Sequence, residues 1–125
     1  MLKYIITIIK LDNMDAKQKL NEVGKIMNEV GNDDSKFQSS FVTFMGSAMS
    51  DGSLDTKTKE LIALSLGITA RCEWCISFHV NAAFKAGATR GELMEVGYVT
   101  VLMYGSPALM EMNNLLDAIN QFEPK

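Results

Sequence analysis

The sequence predicts an all-α fold of about six helices around a central antiparallel helical hairpin, in a single domain spanning residues 1–125. Two observations carry this expectation. Apolar residues recur three and four positions apart through most of the chain, the spacing that lines one face of a helix. Between these runs stand residues that cap or stop helices, among them Gly31-Asn32, Asp33-Asp34-Ser35, Gly87, Thr89 and Gly105-Ser106-Pro107.

Residues 1–11 are rich in isoleucine and fit an extended arm, a short strand or the first turns of a helix; periodicity does not decide. With Asp12 or Asn13 as N-cap, Leu20, Val23, Met27 and Val30 define a first helix over roughly residues 14–30 that stops at Gly31-Asn32. Asp33, Asp34 and Ser35 offer the next cap. Phe37, Phe41, Phe44, Met45 and Ala48 then mark one apolar face up to about Met49. A turn at Ser50-Asp51-Gly52-Ser53 precedes the central helix, capped by Asp55 or Thr56, which carries Glu60. Its run of Leu61, Ile62, Ala63, Leu64, Leu66 and Ile68 is apolar nearly all round, as in a buried helix.

A further helix is expected from about Cys72 to Lys85, with Gly87 as its stop. Thr89 and Glu92 form a capping box for the next, over roughly residues 90–103, whose Leu93, Met94, Val96, Tyr98, Val99, Val101, Leu102 and Met103 exceed what one flank needs. Gly105-Ser106-Pro107 breaks it and places a proline at the start of the last helix, which runs to about Gln121. Two helices apolar on more than one face, in so short a chain, point to surface closed against other subunits.

Composition narrows the function. The net charge of −3 argues against a nucleic-acid surface, whose footprint would be a basic stripe. Two closely spaced cysteines are not the disulfide framework of a small secreted protein, so a reducing, cytoplasmic compartment is expected. The apolar start is broken by Lys10 and followed by Leu11-Asp12-Asn13 without a small-residue cleavage site, unlike a signal peptide. It is also far shorter than the roughly 20 residues of a membrane span. No Gly-rich phosphate loop, Ser-based nucleophile elbow or clear repeat is present.

The chemistry concentrates in one stretch. Both cysteines and the only histidine fall at Cys72, Cys75 and His79, an arrangement that reads as redox or metal-binding. On a helix Cys72 and Cys75 are neighbours, about 5 Å apart at Cα, inside the roughly 4.4–6.8 Å a disulfide tolerates. Cys75 and His79 are neighbours in turn, so an imidazole that titrates near neutrality stands beside a thiol, and Cys75 is the expected nucleophile. Arg71 and the helix N-terminus are further sources of positive potential. If the two central segments form a hairpin turning near Arg71, Glu60 lies roughly 16 Å from the turn, His79 roughly 12 Å and Cys75 roughly 6 Å. Glu60 then sits nearer His79 than Cys75, which suits a carboxylate that orients a base.

Glu60, eleven intervening residues, Cys72-Glu73-Trp74-Cys75, three residues and His79 resemble the alkylhydroperoxidase AhpD-like branch of the carboxymuconolactone decarboxylase superfamily. So do the flanking Leu54-Asp55-Thr56-Lys57-Thr58-Lys59-Glu60-Leu61-Ile62 and the segment from Ala82 through Gly87-Ala88-Thr89 to Glu92-Leu93; the likeness spans about residues 37 to 118. It implies a helical homo-oligomer, a trimer or hexamer, with thiol-dependent peroxidase or disulfide reductase activity and no bound cofactor. In its terms Cys75 becomes a sulfenic acid, Cys72 donates a proton and closes the disulfide, and Glu60 with His79 forms a proton relay. The expected partners are a hydroperoxide substrate and an external dithiol or disulfide reductase, with no nucleic acid or membrane. Better-known members carry a second histidine immediately before the second cysteine. Trp74 stands there in this chain, so a two-histidine relay is not available.

Three other readings compete. Cys72, Cys75, His79 and Glu60 are a legal zinc set, but structural zinc sites usually draw two ligand pairs from separate loops, and here three of the four would come from barely two turns. Lactone decarboxylation, the activity in the superfamily name, needs no cysteine pair. A non-enzymatic module would leave the cysteines structural, as buried cysteines often are. Trp74 and Arg71 are read as packing and surface residues.

Overall fold

A computed structural model describes residues 1–6 and 14–125. Residues 2–6 are helical and exposed, which selects the helical option for that part of the N-terminal arm; the rest of the arm lies outside the described residues. Six longer helices follow: α1 (Ala16–Asp33), α2 (Ser35–Met49), α3 (Thr56–Thr69), α4 (Glu73–Lys85), α5 (Arg90–Tyr104) and α6 (Ser106–Phe122). Among the described residues there is no strand, and no helix is long and apolar enough to cross a membrane.

Each start has a local cause. α1 is capped by Asp15, whose carboxylate accepts the Gln18 backbone N–H while the Gln18 side chain accepts the Asp15 N–H. The cap is thus Asp15; the candidate caps Asp12 and Asn13 lie outside the described residues. The expected stop at Gly31-Asn32 is overrun: α1 continues to Asp33, and Asp34 ends it while its carboxylate caps α2 through the Phe37 N–H. Asp55 caps α3, and Thr89 with Glu92 forms the expected capping box of α5. Gly105, at φ +86, makes the sharp exit from α5 that only glycine adopts without strain, and Pro107 opens α6.

α3 and α4 form the centre; α5 and α6 pack against them and against each other, and α1 packs on α4 and touches α6. The core is built from Leu64 and Ile68 of α3, Ile76 and Val80 of α4, Leu93 of α5 and Leu115 and Ile119 of α6, all fully buried. The expectation that α3 is buried all round holds for one face only. Ile62 and Leu66 are exposed in the single chain, as are Tyr98, Val99, Leu102 and Met103 of α5. α2 buries no residue at all, and its Phe37 and Phe44 face outward.

Candidate functional site

The site forms where α3 turns into α4. Ala70 ends α3, and Arg71 takes a left-handed φ of +54. The Cys72 N–H then bonds back to the Gly67 carbonyl at 3.0 Å and the Arg71 N–H to the Ile68 carbonyl at 3.1 Å. This pair of bonds is the Schellman closure of a helix, here with arginine where glycine is usual. Gly67 has its own reason: a Cβ there would stand 3.2 Å from the Cβ of Cys75, so a larger residue would push α3 and the cysteine apart by a few tenths of an ångström.

Cys72 is not the first helical residue of α4, as the spacing alone implied, but its N-cap. Its sulfur accepts the Cys75 backbone N–H at 3.1 Å, a bond usually supplied by a serine or aspartate oxygen. A sulfur at this end of a helix is placed where negative charge is favoured. Cys72 and Cys75 are joined in a disulfide, with Cα atoms 5.1 Å apart, as the expected spacing allows.

Glu60 and His79 meet across the α3–α4 hairpin. Glu60 Oε2 lies 2.7 Å from His79 Nδ1, with side-chain exposures of 8% and 21%. A buried carboxylate needs such a partner to offset its lost hydration. With Glu60 ionised, Nδ1 carries the hydrogen and donates it, which leaves Nε2 as the acceptor and proton-taking atom. The Phe78 ring stands edge-on to the imidazole at 5.2 Å between centroids.

Cys75 and His79 line one small cavity of about 230 Å³, closed by Val23 and Met27 of α1, Phe41 and Met45 of α2, and Trp74 and Phe78 of α4. A wider groove of about 630 Å³ adjoins it and shares Val23, Met27, Phe41 and Trp74. Cys75 and His79 therefore face an apolar pocket with an apolar approach. All four expected site residues converge on this region: Cys72 and Cys75 bonded to each other, Glu60 bonded to His79.

Two residues at the site were not anticipated. Glu22 accepts the Trp74 indole N–H at 2.6 Å, and Lys19, only 6% exposed, pairs with Glu73 at 3.3 Å. Lys19 did carry a sequence signal, because it interrupts the apolar stripe of Ala16, Leu20, Val23 and Met27. Glu22 carried none.

Residues 35–118 match the family model described as the carboxymuconolactone decarboxylase family. The chain belongs to that family. An uncharacterized protein of Cupriavidus necator is 35% identical over 109 residues, covering 85% of this chain and 96% of the relative. Protein 4 of the cox locus of Paracoccus denitrificans, also uncharacterized, is 32% identical over 83 residues, 66% of this chain and 75% of the relative. Among solved structures, a family protein from Legionella pneumophila in its apo form superposes with a TM-score of 0.82 at 32% identity, over 87% of this chain and 97% of its own. Another, from Thermotoga maritima and described as having a possible part in an antioxidative response, has the same fold at a TM-score of 0.72 and 24% identity, over 82% and 88% of the two chains. α1 precedes the family match, although it supplies two walls of the cavity.

Proposed function

We propose that the protein is a thiol-dependent peroxidase and disulfide oxidoreductase of the AhpD-like type. The observation that carries this reading is the Cys72–Cys75 disulfide beside a Glu60–His79 pair, with Cys75 and His79 opening on one apolar cavity. In the reduced protein His79 Nε2 takes the proton of Cys75 while Glu60 supports the imidazolium. The Cys75 thiolate attacks the outer oxygen of a hydroperoxide, the O–O bond breaks, and the departing alkoxide takes a proton to leave as an alcohol. Cys75 is then a sulfenic acid. The Cys72 sulfur attacks it, water leaves, and the disulfide forms. An external dithiol, or the dithiol of a reductase, restores both thiols and is itself oxidised to a disulfide. No bound cofactor or metal takes part.

The protein acts in this reading in the cytoplasm, without nucleic acid or membrane, as one domain assembled into a homo-oligomer. The exposed apolar residues of α2, α3 and α5 support that assembly. The deciding experiment follows consumption of an organic hydroperoxide in the presence of dithiothreitol. Cys75→Ser is expected to abolish turnover, and Cys72→Ser to form no intramolecular disulfide, leaving its Cys75 sulfenic acid to be reduced directly by dithiothreitol. Parent-like turnover by Cys75→Ser would remove the assignment.

A further inference from the structure

The two residues enclosed by the cysteines are each held by one residue of α1. Lys19 Nζ pairs with Glu73 Oε2 at 3.3 Å and donates to Asn114 Oδ1 at 3.3 Å. The Asn114 amide donates in turn to Glu73 Oε1 at 3.4 Å and Glu111 Oε2 at 2.9 Å. Three residues along α1, on the same face, Glu22 holds the indole N–H of Trp74. α1 is itself anchored, because the backbone N–H groups of Ala16 and Lys17 donate to Asp117 Oδ2 at 2.9 Å and Gln121 Oε1 at 3.1 Å of α6. The first turn of α4, between the sulfurs, is thus tied through α1 to the last helix of the bundle.

A buried ammonium on an apolar stripe is costly without a partner, and a leucine there would pack without one. Lys19 reaches a carboxylate that sits directly after Cys72. Its placement and that of Glu22 have one effect in common: both side chains between the cysteines, Glu73 and Trp74, are tied to α1 by contacts that do not involve the sulfurs. We propose that Lys19 and Glu22 are positioning residues for disulfide formation. By holding Glu73 and Trp74 they keep the sulfurs of Cys72 and Cys75 within reach in the dithiol form, and so raise the effective concentration of one cysteine toward the other.

This inference rests on the cysteine pair being redox-active, and on nothing about peroxide. Its measure is the equilibrium of the full chain with glutathione. One cysteine thiolate attacks oxidised glutathione and releases one glutathione thiolate; the other attacks the mixed disulfide and releases the second. Two electrons pass from the cysteine pair to the glutathione disulfide. The equilibrium constant, read by trapping thiols with an alkylating agent and weighing the protein, is the effective concentration of the pair.

Lys19→Met, Glu22→Ala and Trp74→Phe are each expected to lower that constant about tenfold, equivalent to about 30 mV. Glu22→Ala and Trp74→Phe combined should fall no further than either alone, since both act through one hydrogen bond. Lys19→Arg and Glu22→Gln, which keep an ion pair and an acceptor, should recover most of the loss. A grip with only a structural role would lower the unfolding midpoint and leave the constant in place. Constants within twofold of the parent in all three single variants, or losses that the conservative variants do not recover, overturn the proposal. Loss of peroxide turnover in a protein whose constants shift as expected would count against the peroxidase reading alone.

Discussion

Replacing Glu60 by glutamine tests the relay with little change in shape. The 2.7 Å bond to His79 is charge-assisted, and both partners are largely withdrawn from water. Hydrogen bonds to charged groups contribute about 1.5–3 kcal/mol and neutral ones about 1. The variant keeps a carbonyl acceptor for the Nδ1 hydrogen, so the difference, about 1 kcal/mol, is the expected loss. For a chain of this size it lowers the unfolding midpoint by about 3–5 °C. The kinetic effect should be larger. A positioned base contributes roughly 10²–10⁴-fold, and Glu60→Gln keeps the base while removing the charge that supports it, so the reaction of Cys75 should slow by about 10- to 100-fold. Reduced protein mixed with one equivalent of organic hydroperoxide in a stopped-flow instrument provides the assay. Trp74, the only tryptophan, sits between the two sulfurs in sequence and reports disulfide closure by its emission. Iodoacetamide, with mass detection of the alkylated residue, gives an independent rate for the thiol. Glu60→Gln reacting as fast as the parent in both assays, with His79→Gln slow, would exclude the carboxylate from the chemistry and leave it a structural partner of the imidazole.

Arg71 holds a left-handed φ of +54, a conformation costing an ordinary residue roughly 1–2 kcal/mol that glycine adopts freely. Glycine also gains freedom in the unfolded chain, worth about 0.4–1 kcal/mol, so Arg71→Gly is expected to gain up to about 1 kcal/mol in urea denaturation. A loss of stability would refute the strain argument. On the acid side, the hydrogen bond and ion pair to Lys57 at 2.9 Å hold Glu92 below its ordinary 4.5. The Thr56 backbone N–H and hydroxyl hold Asp51 below 3.8, and Thr58 does the same for Asp55. Groups with depressed folded values stabilise fully above their unfolded values and progressively less as pH falls through the folded ones. Stability should therefore drop below about pH 4.5, and Glu92→Gln should show a shallower decline in urea midpoint over the same range. An unchanged slope in that variant would show that the Lys57 pair contributes nothing to it.

The four residues of the candidate site were legible because they lie on two consecutive helices joined by a tight turn. Rise per residue alone placed Glu60 nearer to His79 than to Cys75, and the two carry the 2.7 Å contact. The helix ends were less so where several acids compete. Asp12, Asn13 and Asp15 all suit an N-cap, and the capping box that marks Asp15 depends on Gln18, three residues on. Glycine at 31 does not stop α1 because Asp34, which both ends that helix and caps the next, is only three residues further. Contacts between distant segments leave no local period. Glu22 and Trp74 are 52 residues apart, and neither breaks the pattern of its own helix, whereas Lys19 interrupts one, a signal that names no partner.

The apolar pattern also overstates what one chain can hide, and the discrepancy bears on the site. A periodic stripe records every surface a helix buries, against its own chain and against others. α3 reads as buried all round, yet Leu66 is 63% exposed; Leu102 of α5 is 80% exposed. α2 is the sharpest case, since it buries no residue in the single chain while its Phe41 and Met45 line the cavity over Cys75 and His79. A wall held by so few buried contacts belongs to the less stable part of a fold. In the proposed homo-oligomer, a second copy covering the exposed Phe37 and Phe44 would restrain that wall.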